Sequence, residues 1–349
     1  MAPNKKVFIV GPGFIGWNII DLLVPEGYSI AGLVRRKKHA DGISASGATP
    51  VMGDLNDKAL ISSQAQEADI IFHTATADHL PSVEAILDGI SARAKQGKET
   101  IFIHTSGTSV LDDNALGAFK STKIYHDDIP SELDSVADDA PHRQIDLAIV
   151  KTKSSELLKS KAKISIMIPP LIYGFNPKHQ RLSIQIPTLT RWAIKHGYAA
   201  HVGKGLAVES NIHVLDLARA YVVLLHAMEN AGYQDGLLAN PYFFCETTGD
   251  GEPSWKEVAE VIGEALKKNG KIEDAVPKEM PEELYGDLFG EYTGAVTGLN
   301  SRSRANRLRA LGWKPVEKDW RRSYLEDELP VILKEDHSGF GGYSGTVAS

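Results

Sequence analysis

Gly11, Gly13 and Gly16 follow directly on the apolar run 7–10, in the order Gly11-Pro12-Gly13-Phe14-Ile15-Gly16. Glycines at that spacing allow a tight turn, a close approach of backbone to a pyrophosphate, and close packing of the next helix on the strand. The loop, Phe14 and Ile15 included, would feed a helix over about 14–23 whose positive end faces the phosphates. At the end of a second strand stand Arg35 and Arg36 rather than an acid. Guanidinium groups bind a 2′-phosphate bidentately, so this pair, with Lys37 nearby, favours NADP over NAD. Asp54, followed by Leu55, could accept from an adenine amino group or cap the next helix. Thr74 and Ala75 are small enough for the chain to pass close to the cofactor, whereas His73 reads as a satisfied core histidine.

The elements that must position these groups alternate in type. Strand-like runs fall at 7–10, 29–34, 49–52, 70–73, 100–104 and 163–168, with helical patterns at 82–94 and 142–159 between them. This alternation implies βαβ units and a parallel sheet with right-handed crossovers. The expected fold is α/β: a Rossmann doubly wound parallel sheet with a smaller C-terminal substrate-binding domain. The larger domain would take 1–174 and 206–235, the smaller 175–205 and 236–334, and a Gly/Ser-rich flexible tail 335–349. Segment 114–141 is long and acid-rich and reads as a solvated loop. Phe243, Phe244 and Trp255 read as packing of the small domain.

A chain of 349 residues with 42% hydrophobic and 24% charged residues has enough apolar surface for a large core. Its net charge of −7 argues against a nucleic-acid partner, because Arg35 to Lys38 is too short a basic run to track phosphates. The single Cys245 rules out an internal disulfide and a cysteine-rich metal site, as suits a reducing compartment. No HExxH or comparable spacing occurs among the twelve histidines, so no metal is expected. With neither a signal-peptide pattern nor an apolar run of ~20 residues, a cytoplasmic protein without membrane contact is expected.

Taken together the motifs resemble the extended short-chain dehydrogenase/reductases, the NAD(P)-dependent epimerase/dehydratase-like superfamily. GPGFIG at 11–16 is similar to the family's TGxxGFIG, GDL at 53–55 to its adenine-binding Asp-Leu, and IFHTA at 71–75 to its IHxAA. HTSGTS at 104–109 resembles the strand end that carries the catalytic serine, and IPPLIYG at 168–174 resembles RPxxVYGP, with Pro170 and Tyr173 beside the cofactor and pocket. NIHVLDLARAY at 211–221 and ALGWKP at 310–315 are similar to two further family segments. The resemblance implies that Ser106 hydrogen-bonds a substrate carbonyl and that Lys151 binds the nicotinamide ribose. It also implies a homodimer through helices 82–94 and 142–159.

One departure stands out. The family's YxxxK uses a tyrosine hydroxyl as proton donor or acceptor, but no tyrosine here has a lysine four residues on, and Leu147 stands four before Lys151. The proton would have to come from Lys151, Tyr173 or water. His142 and Asp146 read as surface residues, and His213 and Asp216 as braces of a loop. The preferred expectation is an NADP(H)-dependent oxidoreductase reducing a carbonyl or oxidising an alcohol of a small to medium organic substrate. The alternatives are a nucleotide-sugar epimerase or dehydratase, and an NADP-binding protein without redox turnover, such as a sensor, isomerase or cyclase.

Overall fold

The computed structural model describes residues 5–232, 236–247 and 251–343. Strand β1, Lys6–Val10, begins it, and the segment 7–10 is buried on both faces, as its β-branched and aromatic residues require. Helix α1, Gly16–Leu23, leads to β2, Ser29–Val34; α2, Lys37–Ala45, to β3, Thr49–Met52. Then follow α3, Lys58–Glu67, β4, Ile70–His73, α4, Leu80–Lys95, and β5, Thr100–Thr105. All pairings in this sheet are parallel, with Val10 beside both Leu33 and His73, and His73 beside His104. The carboxyl ends of β1, β4 and β5 therefore finish side by side, and the loops leaving them share one rim.

The sheet has seven strands, in the order Tyr242–Phe244, Ala162–Ile168, β5, β4, β1, β2, β3. The six strands expected from the sequence are all present, and Tyr242–Phe244 adds a seventh. Tyr242–Phe244 pairs with Ile166 to Ile168 and joins the main core rather than the small domain, because its aromatics are buried on both faces and Arg307 lies 3.8 Å over the Phe243 ring. Ala305, Leu308 and Trp313 return to the same core. The small domain is thus narrower than 236–334 and packs its own core on Trp192, Trp255, Leu266 and Tyr324.

Two other expectations change. The pattern 142–159 splits into helices Arg143–Lys153 and Glu156–Lys159, because Ser155 accepts from the Leu158 amide and caps the second. The acid-rich segment 114–141 is not solvated throughout: Asp127 is fully buried and accepts from the amides of Phe244 and Arg307. Residues 335–343 pack on the small domain, where Arg191 donates to both oxygens of Glu335 at 2.6 and 2.7 Å and the Tyr343 amide donates to Leu288. The rest of the expected tail, 344–349, lies outside the described residues. Among the described residues no helix is long and apolar enough to cross a membrane.

Candidate functional site

At the end of β1 the chain turns on Gly11, whose φ of +89° is a left-handed value that side-chain-bearing residues rarely adopt. A Cβ there would lie 2.4 Å from the Ala75 Cα, and one at Gly16 would lie 2.6 Å from both the Gly11 carbonyl oxygen and Thr74 Oγ1. Thr74 Oγ1 donates to that same carbonyl at 2.7 Å. Thr74 and Ala75 therefore clamp the loop from β4. Gly13 differs: a Cβ there would meet only the Arg181 guanidinium at 3.7 Å and the Gly11 carbonyl oxygen at 3.9 Å. The amides of Phe14 and Ile15 find no acceptor among the described residues. A glycine face covered only by a guanidinium, beside unpartnered amides at a helix start, is an anion cradle, and these residues fit a dinucleotide's phosphates.

The rim beyond is basic. Arg35 and Arg36 are exposed, and their side chains have no hydrogen-bond or ion-pair partner among the described residues, whereas Lys37 pairs with Asp41 at 3.0 Å. Burial, then the charges of Arg181, Arg36 and Arg35, hold His39 below its ordinary value. Asp54 is exposed and accepts the Asn56 amide at 2.7 Å, Leu55 packs on the main core, and Pro170 is buried between two strands.

The rim at β5 is a different kind of site. Ser106 is buried, and its Oγ donates to Asp146 Oδ2 at 3.0 Å. Asp146 is fully buried on helix Arg143–Lys153, and its Oδ1 has no partner. Burial pushes its carboxyl up to about 7, against the Ser106 bond and the charges of His142 and Arg143, which pull it down. His142 precedes that helix in a left-handed conformation, φ 66°. Its Nδ1 lies 2.6 Å from Asp78 Oδ1, so Nδ1 carries the proton, and Nε2 would sit 3.2 Å from a Cβ at Gly107. Glycine at 107 leaves room for the imidazole next to Ser106. Behind Ser106, His104 and His73 share a hydrogen bond between their Nδ1 atoms at 3.0 Å, and His73 Nε2 is 3.3 Å from Ser82 Oγ. Burial pushes His73 down to about 3 and His104 also well down, so both are neutral.

The structure does not bring Lys151 and Tyr173 to this corner by any contact. Lys151 is exposed, and its side chain has no partner among the described residues; Leu147 is half-buried on the same helix. Tyr173 is buried, donates to the Lys318 carbonyl at 2.9 Å and meets His213 edge-on, and burial pushes its hydroxyl pKa up. His213 accepts from the Leu215 amide, and Asp216 accepts from the amides of Val316 and Glu317. The reading of His142 and Asp146 as surface residues is corrected: Asp146 is buried against Ser106 and His142 lies over Gly107, because the helix begins only at Arg143 and turns its first turn toward β5. Their i, i+4 spacing, the same as in YxxxK, was the available signal. Asp78 lies 64 residues from His142 and carried none.

A model of the NAD dependent epimerase/dehydratase family matches residues 7–235. The chain is 29% identical over 363 aligned positions to the Oxidase ucsJ of an Acremonium species, covering 97% of this chain and 99% of that one. It is 27% identical over 117 residues to a 4-hydroxy-2-methyl-3-oxo-4-farnesyl-3,4-dihydroquinoline-1-oxide ketoreductase of Stigmatella aurantiaca, covering 31% of this chain and 35% of that one. A solved UDP-glucose 4-epimerase of Thermotoga maritima with UDP-glucose superposes with a TM-score of 0.64 at 15% identity, covering 95% of this chain and 100% of that chain.

Proposed function

The chain belongs to the NAD dependent epimerase/dehydratase family, and from that premise we propose that it is an NADP(H)-dependent oxidoreductase acting on a carbonyl or alcohol. The observation that carries this reading is the meeting of Ser106, Asp146 and the His142–Asp78 pair at the carboxyl end of β5. Bound nicotinamide would exchange a hydride with the substrate carbon. The chain's own residues manage the oxygen and the proton. While Asp146 is protonated its proton lies toward Ser106 Oγ, and the Ser106 hydroxyl proton is released to hydrogen-bond the substrate oxygen. His142 Nε2 gives that oxygen a proton in reduction and takes one in oxidation, with Asp78 supporting the imidazolium through Nδ1. Lys151, one turn beyond Leu147 on the same helix, has a side chain long enough to serve the nicotinamide ribose. The basic end of β2, without an acid, supports NADP rather than NAD, with Arg35 and Arg36 on the 2′-phosphate. The relatives called an oxidase and a ketoreductase support redox turnover.

The test is direct. Nicotinamide fluorescence should report tighter binding of NADPH than of NADH, and a panel of ketones and aldehydes should contain substrates that consume NADPH. Absence of binding for both cofactors would remove the proposal, and binding without turnover of any carbonyl or alcohol would favour a non-redox role.

A further inference from the structure

The segment after strand Leu171–Tyr173 lies across α1. Asn176 Nδ2 donates to Asn18 Oδ1 at 2.6 Å, and Asn18 Nδ2 donates to the Phe14 carbonyl at 2.8 Å. Lys178 and His179 both bind Asp21, at 2.7 and 2.9 Å, and His179 stacks on Trp17 at 4.2 Å between ring centroids. Hydrogen bonds from His179, Lys178 and Ser46 outweigh burial and hold Asp21 at about 2, so this strap is fastened by a carboxylate that stays charged. An antiparallel bridge between Asn176 and Arg181 closes the strap and sets where Arg181 points.

Arg181 points at the glycine loop. Its Nη1 is the side-chain atom facing Gly13, it is buried, and it has no hydrogen-bond partner. No carboxylate among the described residues pairs with the guanidinium; Arg36 is close enough to repel it, and the Tyr343 hydroxyl also lies near it. A guanidinium without a carboxylate partner beside unpartnered amides at a helix start suits an anion. We propose that Arg181 binds the pyrophosphate of the dinucleotide, so that the strap closes the cofactor site from outside the glycine loop. This rests on the dinucleotide reading above and adds a residue to it. Arg35 and Arg36 would discriminate between cofactors; Arg181, set over Gly13, would not, because the pyrophosphate is common to both.

Full-length Arg181→Gln and Arg181→Lys should be titrated with NADPH and with NADH, and melted without cofactor. Arg181→Gln is expected to weaken both cofactors by the same factor, roughly 10- to 100-fold. Arg181→Lys should regain part of that loss, and the melting temperature of the cofactor-free Gln variant should stay level or rise, because a buried unpaired charge is gone. Unchanged binding of both cofactors, a loss confined to NADPH, or a lost affinity that follows a falling melting temperature would each overturn the assignment. Failure of the unmodified chain to bind either cofactor is a separate result: it would sink the dinucleotide reading and this proposal with it.

Discussion

The glycine loop and the Ser106 corner sit on one rim of the sheet, yet they are built in opposite ways. The loop is a backbone device, in which Gly11, Gly13 and Gly16 supply a conformation and close approaches that a side chain would block, and a few consecutive residues complete it. The corner is a side-chain device, assembled from the ends of β4 and β5, the start of helix Arg143–Lys153 and the residue Asp78. A backbone cradle holds any dinucleotide and tolerates little change. A corner of separate side chains can exchange its proton-transfer group while the cradle stays constant, which is what the proposed role of His142 beside Leu147 requires.

Four changes would break or sharpen that contrast. Gly11→Ala should be the most damaging: it forces a left-handed backbone and a contact with Ala75, and calorimetry should show a loss of several kcal/mol together with the loss of cofactor binding (about 1–3 kcal/mol for the strain alone). Asp78→Asn should lower kcat roughly 10-fold without altering NADPH affinity, a modest figure because the carboxylate is 52% exposed and water screens the pair. Normal turnover in this variant would detach Asp78 from the chemistry.

Asp146→Asn is a pH experiment. Its carboxyl sits at about 7 in the fold against 3.8 in the unfolded chain, so the folded state retains a proton that the unfolded chain releases. The resulting stabilisation is complete below 3.8 and is lost as pH rises through 7, roughly 4 kcal/mol at most. Melting temperature should therefore fall less steeply between pH 4 and 8 in the variant, and the decline in reduction rate above about pH 7 should flatten. An unchanged slope and profile would show that Asp146 is not the titrating group. Tyr173→Phe should have the smallest effect: about 1 kcal/mol of stability for the bond to Lys318 and an unchanged kcat. A collapse of kcat would instead return Tyr173 to the chemistry.

These contrasts also explain what was legible in the sequence. β1, its glycines, and Thr74 with Ala75 are local patterns of residue type, each forced by one conformation, and they read directly. Strand Tyr242–Phe244 was missed because three buried residues at a sheet edge have too little periodicity to distinguish them from small-domain packing. The roles of His142 and Asp146 are not legible from the positions of Leu147 and Lys151, because the left-handed residue at 142 starts the helix late and turns its first residues inward. Arg181 depends on a strap docked by Asp21, a contact across 157 residues from Lys178 that no sequence spacing encodes.

The central claim, that the proton passes through His142 rather than through a residue at 147 or 151, is tested most directly by single turnover of His142→Gln preloaded with NADPH. NADPH affinity is expected within about twofold of the unmodified chain, and the hydride-transfer rate lower by roughly 10²- to 10⁴-fold. An unchanged rate at equal cofactor occupancy would contradict it.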